Sequence, residues 1–463
     1  MAISKLRTAL RFFYLLSCLL CCLLLSISAY AGDWQHMTEA CKLAKETPSR
    51  PNFEDCAIKF YGLTPVGPQI GSIAPQGSVA LGLRASHTIM HPPSLTATPG
   101  TKSKESHFTT RGLYSVTNFY LMEGRYDFKM PALGQGNSTT ATFEDQIDLS
   151  VFASRVNLNT QRFYGLGENS ASAGLAEYRQ LQDKVGASAD WPITSWFSAG
   201  GTVQWVAPRI RGVSGTSVPS VASVYNNSTA PGILSQPTFL NPKGYLDVHT
   251  GSNTAQTWQR TKLRATFEHF ADLDSSAYTF NRISGAATAS FDLRHRMATL
   301  TLPWGKSMLC EPLQGGQCSM GQLVFNGLAT ASYTGTGSSV PFYFQPTLGG
   351  TDINGVDTLR GLTDFRLRDA NRVLLQAEFD HHVWSLLGVS AFYDVGKVAS
   401  NPGDLGLSHL RHDFGIGAFV KIQNKVVLRA YLGFGGGDGI HTGFKLPATS
   451  WGNWETMPMA TFP

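Results

Sequence analysis

Charged side chains are scarce in this 463-residue sequence, in which Asp, Glu, Lys and Arg together make up 15% of the residues. No basic patch stands out, which argues against nucleic acid as a partner. No apolar run beyond the first thirty residues is long enough for a membrane-spanning helix. No stretch after about residue 75 resembles an interdomain linker, so we expect one large unit rather than several domains.

Catalytic and metal-binding motifs are also missing. The sequence has no Gly-x-Ser-x-Gly turn, no His-Glu-x-x-His helix and no paired cysteine knuckle. His381 and His382 are adjacent, and adjacent strand residues point to opposite faces of a sheet, so they cannot chelate one ion together. We therefore expect no enzyme and no cofactor. An enzyme or a surface-binding module that uses the long loops is the least favoured alternative.

Cysteine is rare outside the N-terminus, where three of the seven residues lie. The remaining four form two closely spaced pairs, which suggests two local disulfides in an exported chain: Cys41 with Cys56, and Cys310 with Cys318. Met308 and Met320 flank the second pair, so a site for a soft ion such as copper(I) is the alternative there.

The first thirty-one residues have the pattern of a cleavable export signal. Lys5, Arg7 and Arg11 precede an apolar core at Phe12 to Leu25, and small residues follow at Ala29 and Ala31. Cleavage would leave Gly32 at the N-terminus and lower the formal charge from +5 to about +2. A retained membrane anchor is the alternative, and a lipoprotein attached through Cys18 is weaker still.

Glycine (47 residues) and aromatic residues (11%) are plentiful, and apolar residues recur with a period of two. From residue 146 to 154, Ile147, Leu149 and Val151 share one strand face while Asp148 and Ser150 share the other. Every backbone amide must find a partner inside a protein that sits in lipid, and only a closed sheet leaves no edge. The pattern therefore predicts an all-β fold, a transmembrane antiparallel β-barrel of about 12 to 16 strands.

Comparable alternation runs through most of the chain. We expect strands near residues 78–87, 114–130, 146–154, 195–206, 262–270, 286–293, 322–331, 372–384, 387–398, 412–422 and 426–434. A soluble β-sandwich or propeller would show the same alternation and is the alternative, although no repeat of fixed period supports propeller blades.

An arginine stands in a glycine-rich segment just before two of these strands. Alternation turns Glu378 on one strand and Asp394 on the next toward the same interior. Arg360, on a loop folded back into that interior, could bond both carboxylates because guanidinium offers five fixed donors. Gly361 would let the loop backbone turn tightly beside it. The alternative is a solvated Arg360 above carboxylates that line a wet pore.

The segments "PTLGGTDINGVDTLRGLTDFRLRD", "LLQAEFDHH", "AFYDVGKV" and "RFYGLGENS" resemble the barrel domain of the bacterial surface-antigen family. That family contains the outer-membrane barrel-assembly and translocation-assembly proteins (BamA/TamA type) and the two-partner-secretion transporters. The resemblance covers most of residues 78–446. Its specific elements are the loop Arg-Gly pair, the Glu-aromatic pair at Glu378 and the Phe-x-Asp-x-Gly motif that begins at Phe392.

The resemblance implies a sixteen-stranded barrel whose sixth outer loop places Arg360 against Glu378 and Asp394, with Phe392 packed nearby. It also implies a weak seam between the first and last strands, through which client barrels enter the membrane. Leu362 departs from the family pattern, which has an aromatic residue after the Arg-Gly pair. Residues 32–77 are too few for a polypeptide-transport-associated (POTRA) domain, which puts client capture in doubt.

These observations predict four regions: a signal peptide at 1–31, a short periplasmic or plug segment at 32–77, an outer-membrane barrel at 78–446 and a tail at 447–463. The expected location is the bacterial outer membrane. The expected function is assistance in the insertion or translocation of proteins, and a passive or substrate-selective pore is the alternative. The expected partners are outer-membrane lipid and unfolded client proteins or other envelope assembly components.

Overall fold

The computed structural model describes residues 31–47, 52, 55–56, 66–77, 79–91, 104–131, 146–250, 259–296, 299–302, 305–308, 311–312, 317–383, 387–422 and 425–445. Residues 1–30 of the expected export signal (1–31) and the expected C-terminal tail (447–463) lie outside these ranges. Helix α1 spans Ala31–Glu46 and buries Ala40 and Ala44, which are one turn apart. In the described ranges, no helix has the length and apolar character needed to span a bilayer.

Sixteen strands dominate the chain. They are β1 (Val66–Gly71), β2 (Ala80–His91), β3 (Lys104–Ser115), β4 (Tyr120–Pro131), β5 (Gln146–Phe163), β6 (Ala176–Thr194), β7 (Phe197–Gly212), β8 (Phe239–Thr250), β9 (Gln259–Asp272), β10 (Phe280–Arg296), β11 (Gln317–Thr334), β12 (Asn371–His382), β13 (Leu387–Ala399), β14 (Arg411–Ile422), β15 (Lys425–Gly435) and β16 (Ile440–Lys445).

Shorter elements lie in the connections. They are the helix α2 (Val221–Val224), the 3₁₀ turns Pro75–Gly77, Ser172–Gly174, Phe342–Phe344 and Pro402–Asp404, and the short strands Thr299–Leu302, Gly305–Met308, Glu311–Pro312, Thr347–Leu348 and Leu367–Arg368.

Each of the sixteen strands pairs antiparallel with the next one along the chain, from β1–β2 through β15–β16. The two-residue strand Glu311–Pro312 also pairs with β11, which makes a single sheet of seventeen strands. The prediction of an all-β, antiparallel barrel with sixteen main strands is confirmed.

Burial alternates along the strands as the sequence predicts. On β13, Val389 and Tyr393 are 46% and 49% exposed, whereas Phe392 and Asp394 are 5% and 0% exposed. On β12, Leu375 faces outward and Asp380 faces the interior. On these two strands the outer face is apolar and the inner face carries the carboxylates, which is the arrangement of a barrel in lipid.

The largest differences from expectation concern four parts of the sheet. β6 (Ala176–Thr194) lies outside every predicted range, because charged residues such as Asp183 and Lys184 stand on both of its faces and obscure the alternation. The sheet begins with β1, before the expected start at residue 78, because a six-residue strand with two glycines and a proline shows no alternation. The stretch 114–130 is not one strand: a turn at 116–119, with Asn118 at φ 63, separates β3 from β4. β8 was not predicted, since Pro242 in its middle argues against a strand in a sequence.

One end of the barrel carries the longest described connections, including those at 164–175, 213–238 and 335–370. We call this the loop end. Buried aromatic rings fill the interior near it: Phe163, Tyr178, Phe239, Phe280, Phe342 and Tyr343. Rings from the strands and rings from the connections belong to the same clusters, so the loops at this end pack into the barrel as part of its core.

Candidate functional site: the interior loop

The connection between β11 and β12, residues 335–370, folds back into the barrel interior. Counted from β1, it is the sixth connection at the loop end. Its middle forms a hairpin in which the Gly350 N–H donates to the Leu359 carbonyl at 2.8 Å and the Thr358 N–H donates to the Gly350 carbonyl at 2.8 Å. Asp352 closes the turn, since its Oδ1 accepts from the N–H groups of Asn354 and Val356. We call residues 349–361 the interior hairpin.

Arg360 lies at the end of this hairpin and is 2% exposed. Its Nε and Nη2 donate to the two carboxylate oxygens of Asp394, each at 2.8 Å, and its Nη1 donates to Glu378. The Phe392 ring covers the guanidinium, with its centroid 3.7 Å from Cζ. The structure thus brings Arg360, Glu378, Phe392 and Asp394 together. A forked contact of this kind fixes both the position and the orientation of the loop.

Gly361 is required by close approach rather than by a turn. Its backbone is not in the left-handed region, and its N–H donates to Asp413 Oδ2 at 2.8 Å. A Cβ at this position would lie 2.6 Å from the Asp413 Cβ and 2.9 Å from the Phe434 carbonyl oxygen. Any larger residue would push the hairpin away from β14 and β15, so the expected tight turn is replaced by a packing constraint.

A second glycine faces the hairpin from the barrel wall. A Cβ on Gly433 of β15 would lie 2.7 Å from the Arg360 carbonyl carbon and 2.8 Å from the Gly361 Cα. Glycine on the wall and glycine on the loop therefore let two backbones meet directly. The Arg-Gly pair and its seat on β15 form one close-packed contact.

Sequence reasoning missed several groups that complete this site. Arg429 of β15 pairs with Glu378 and also donates from Nη2 to Asp380 Oδ2 at 3.3 Å. Gln376 donates from Nε2 to Asp394 Oδ1 at 3.1 Å. Arg429 was visible as a charge on the inner face of an otherwise apolar strand. Its pairing with Glu378 on β12 could not be predicted, because a sequence does not show which inner side chains contact each other across the lumen.

Three further arginines hold the loop by its backbone. Arg282 of β10 donates to the Phe344 carbonyl at 2.8 Å, Arg368 donates to the Phe342 carbonyl at 2.7 Å, and Arg372 of β12 donates to the Thr347 carbonyl at 2.9 Å. The Phe342 and Phe344 carbonyls lie outside any strand, and Thr347 belongs to the two-residue strand that pairs with Leu367–Arg368, so the guanidinium groups add hydrogen bonds that a long ladder would otherwise supply. Arg372 also pairs with Asp352 at 3.0 Å, and Arg282 donates to the Ser332 hydroxyl at 3.2 Å. The backbone partners leave no signal in a sequence.

Leu362, where the family pattern has an aromatic residue, is 2% exposed and packs in a leucine-rich cluster. The cluster comprises Leu348, Leu359, Leu362, Leu367, Leu374 and Val398. Gly436 lies against the Leu362 side chain. An aliphatic residue therefore fills this space between the loop and the wall.

The interior hairpin also contacts both ends of the sheet. Ile353 at its tip packs against a cluster that includes Ile73, Ala80 of β2 and Leu158 of β5. On the other side, Lys445 of β16 donates to the Gly355 carbonyl at 2.9 Å and to Asp357 Oδ2 at 3.1 Å.

Asp357 lies on the connection, outside the spanning strands, and its charge depends on this contact. Burial opposes ionisation, but Lys445 and Arg360 hold the pKa of the Asp357 carboxyl below its ordinary value. The hairpin thus carries an anion for the cation of the last strand. It joins the first strands to the last strand from the inside.

The first and last strands are the weakest part of the backbone network. β1 pairs with β2 over six positions and β15 pairs with β16 over six. Within the described ranges, no backbone pairing joins β1 to β16. In this part of the barrel, side-chain contacts through the hairpin supplement the backbone ladder.

The other predicted sites fall in different places. Cys41 and Cys56 form a disulfide next to α1. Cys310 and the side chain of Cys318 lie outside the described residues, so the second pairing stays a prediction. His382 is buried against Phe419, while His381 stacks beside Phe379 on the outer face. In the part of the chain that the structure describes, no group of three His, Cys, Asp or Glu residues could hold a metal.

Comparison with known proteins finds structures with a similar fold. No protein-family model matches the sequence, and no curated protein matches it. Among solved structures, the chain is similar to BamA from Haemophilus ducreyi lacking POTRA domains 1–3, with a TM-score of 0.50, 11% identity, and coverage of 83% of this chain and 70% of that one.

It is also similar to CdiB from Acinetobacter baumannii, with a TM-score of 0.45, 11% identity, and coverage of 82% of this chain and 59% of that one. The likeness to CdiB from Escherichia coli has a TM-score of 0.45, 10% identity, and coverage of 83% of this chain and 62% of that one. The chain shares the barrel fold of the BamA structure. At 11% identity this likeness concerns architecture alone.

Proposed function

We propose that this chain is an outer-membrane barrel, not an enzyme, that assists the insertion or translocation of other proteins. The observation that carries the proposal is the contrast between long interior ladders and two short end strands. Each end strand has six paired positions, and between them the described residues show no backbone pairing. An unpaired strand edge is a template for a strand from another chain.

The interior hairpin supports the same proposal. It contacts both sides of the opening by side chains: Ile353 packs against a cluster from the β1–β2 connection and β2 to β5, and Lys445 of β16 bonds the hairpin on the other side. Side-chain contacts can release without breaking a backbone ladder. A barrel held in this way can open between β1 and β16 while the middle strands stay paired. The fold shared with BamA is compatible with such a role.

Arg360 is the anchor in this proposal. It fixes the hairpin to β12 and β13, so the part of the hairpin that reaches β16 has a rigid base. Without that base, Lys445 would have no positioned partner. We propose that Arg360, Gly361, Glu378, Phe392 and Asp394 act together as a structural lock in the lumen.

Cross-linking in cells tests the function. A photo-reactive amino acid at Ile440 of β16, whose side chain is 69% exposed, should capture other outer-membrane proteins during their assembly. The matched control is the same group at Val203 on the outer face of β7, which is 54% exposed. If both positions capture the same proteins to the same extent, or neither captures any, the insertion role is rejected.

A selective pore is the second candidate, because charged groups line the inner wall away from the loop end. Lys243 and Asp247 of β8 and Arg264 of β9 face the lumen, and Arg264 pairs with Asp247. Planar bilayers containing the purified protein would then show steady conductance that rises in Arg360→Ala. Silent bilayers for both proteins would reject the pore.

A further inference from the structure

The outer wall of the barrel carries a cluster of arginines near the loop end. It consists of Arg155 on β5, Arg179 on β6, and Arg209 and Arg211 on β7, and we call it the arginine cluster. These residues follow the same alternation as Val185 and Val203, which are both 54% exposed on the outer face. The register brings them together, since Arg155 is opposite Asp183 and Arg179 is opposite Arg211.

The cluster has too few acidic partners. Asp183 accepts from Arg155 Nε at 2.5 Å and Nη2 at 2.8 Å, and from Arg209 Nη2 at 2.9 Å. Arg179 donates from Nε to the neutral side chain of Asn157 at 2.6 Å. The next acidic residue on this face, Glu177, is 7% exposed and lies opposite Arg162 in the strand register.

Among the hydrogen bonds of the described residues, Asp183 supplies the one carboxylate that these four guanidinium groups contact. Arg179 and Arg211 also lie directly opposite each other, and like charges in that position destabilise a sheet. Arg209 and Arg211 are exposed, so an anion can reach them from outside. A bound anion would offset the excess positive charge.

An apolar groove begins below the arginine cluster on the same outer wall. Its volume is about 570 Å³, and its floor is made of small residues: Ala187, Ala189, Gly201 and Gly244. Leu149, Val203 and Phe267 form its sides. A Cβ on Gly244 would meet nothing within 4 Å, so this part of the floor is open space.

The distance between the arginine cluster and the groove fits a molecule that carries an anionic group at one end and an acyl chain at the other. Ala187 and Ala189 follow Asp183 by four and six positions on β6, which is roughly 13 to 20 Å along a strand. Trp205, 40% exposed on the outer face, lies between the arginines and the groove. Tryptophan is enriched where the polar and apolar layers of a membrane meet.

We propose that this wall binds a phosphate-bearing lipid, whose phosphate contacts the arginine cluster and whose acyl chain lies in the groove. Guanidinium forms forked hydrogen bonds with phosphate, and four such groups around one carboxylate favour a dianion. The groove offers mostly apolar surface beside the membrane interior, so hydrocarbon fills it. The proposal rests on the proposed location of the barrel in the outer membrane and identifies a lipid that the barrel binds there.

Lipid binding to the full-length protein in phosphatidylcholine nanodiscs tests the proposal. The probe is diphosphorylated lipid A, added in increasing amounts, with the bound copies counted by native mass spectrometry. We expect Arg209→Gln/Arg211→Gln to weaken binding about tenfold or more, because two charge-assisted contacts are lost. Arg209→Lys/Arg211→Lys keeps both charges but loses the forked hydrogen bonds, so its affinity should lie between those of the wild type and the Gln variant.

Two glycines give a matched test of the groove. Gly244→Leu fills the floor and should weaken lipid A binding, whereas Gly285→Leu adds the same side chain on β10, outside the groove lining, and should not. Position 285 is suited to this comparison because a Cβ there also meets nothing within 4 Å. Equal binding by both glycine variants and the wild type would overturn the acyl-chain part of the proposal.

Inorganic phosphate separates a lipid site from a simple anion site. If millimolar phosphate displaces lipid A completely and Gly244→Leu has no effect, the site takes a free anion and the lipid proposal fails. Unchanged binding in Arg209→Gln/Arg211→Gln overturns the proposal altogether. Neither result affects the proposed membrane role, which would instead fail if the wild-type protein did not enter nanodiscs at all.

Discussion

The middle strands and the end strands of this barrel are held in different ways. β6 and β7 pair over sixteen positions and β10 and β11 over seventeen, whereas β1 and β16 each pair over six. A long ladder satisfies its backbone groups by itself. The last strand also depends on the interior hairpin through Lys445, and Ile353 of the hairpin packs against the β1–β2 connection and the strands that follow it.

This difference gives the buried charges a purpose beyond stability. Burying an ion pair costs desolvation energy that apolar packing would avoid, so such a pair is weak evidence for stability. A buried ion pair does, however, hold its two partners in one defined position relative to each other. Arg360, Asp394 and Glu378 place the hairpin where it can reach β16, which apolar packing alone would do less specifically.

Removing the anchor should have the largest effect. Arg360→Ala leaves Asp394, which is fully buried, without its main counter-charge, so we expect the folded state to lose about 3 to 5 kcal/mol. The measurement is the temperature at which the barrel loses its compact mobility in a gel. Arg360→Lys is the control that keeps the charge but loses the fork. An unchanged transition in Arg360→Ala would reject the lock.

Crowding the seat of the hairpin should come next. Gly433→Ala places a methyl group against the Arg360 and Gly361 backbones, and overpacking of this kind costs about 1 to 3 kcal/mol. The same gel assay applies. Gly285→Ala adds a methyl group on the outer face, where nothing lies within 4 Å, and should leave the transition unchanged. Equal shifts in both variants would show that the close contact between Gly433 and the hairpin backbone does not contribute specifically to stability.

Cutting the contact with the last strand should have a smaller and local effect. Lys445→Met removes the bonds to Gly355 and Asp357 and should cost about 1 kcal/mol. Amide hydrogen exchange should speed up in β15 and β16 but not in β6 and β7. Lys397→Met, which removes a bond from an exposed lysine to the Ser408 carbonyl, is the control. Faster exchange across the whole barrel would contradict a local role.

The disulfide should matter least for the barrel. Cys41 and Cys56 are 15 positions apart, so their bond restrains only a short segment that precedes β1. We expect Cys41→Ser/Cys56→Ser to leave the gel transition where it is in the wild type. A clear shift would mean that the segment around α1 stabilises the strands.

Much of the fold could be predicted because strand alternation is a local property. The inner positions of Glu378 and Asp394 follow from counting along β12 and β13, and their burial agrees. β8 was not predicted because Pro242 and Gly244 interrupt its alternation. β1 was not predicted because a strand of six residues is too short for its alternation to be recognised.

The candidate site was only partly predictable because its contacts cross the lumen. Family resemblance pointed to Arg360 and its two carboxylates. Lys445 and Arg429 meet their partners only after the sheet closes and the connection folds inward. Inner positions can be counted from a sequence, but the pairs that form across a barrel depend on strand tilt and loop path, which a sequence does not display.

The central claim is that the end strands are held less firmly than the middle strands, and one exchange experiment tests it directly. Hydrogen–deuterium exchange of the wild-type protein in lipid nanodiscs, resolved to individual strands, compares β1 and β16 with β6 and β7. We predict rapid exchange in the two end strands and slow exchange in the two middle strands. Equally slow exchange in all four would show a firmly closed barrel and contradict the account.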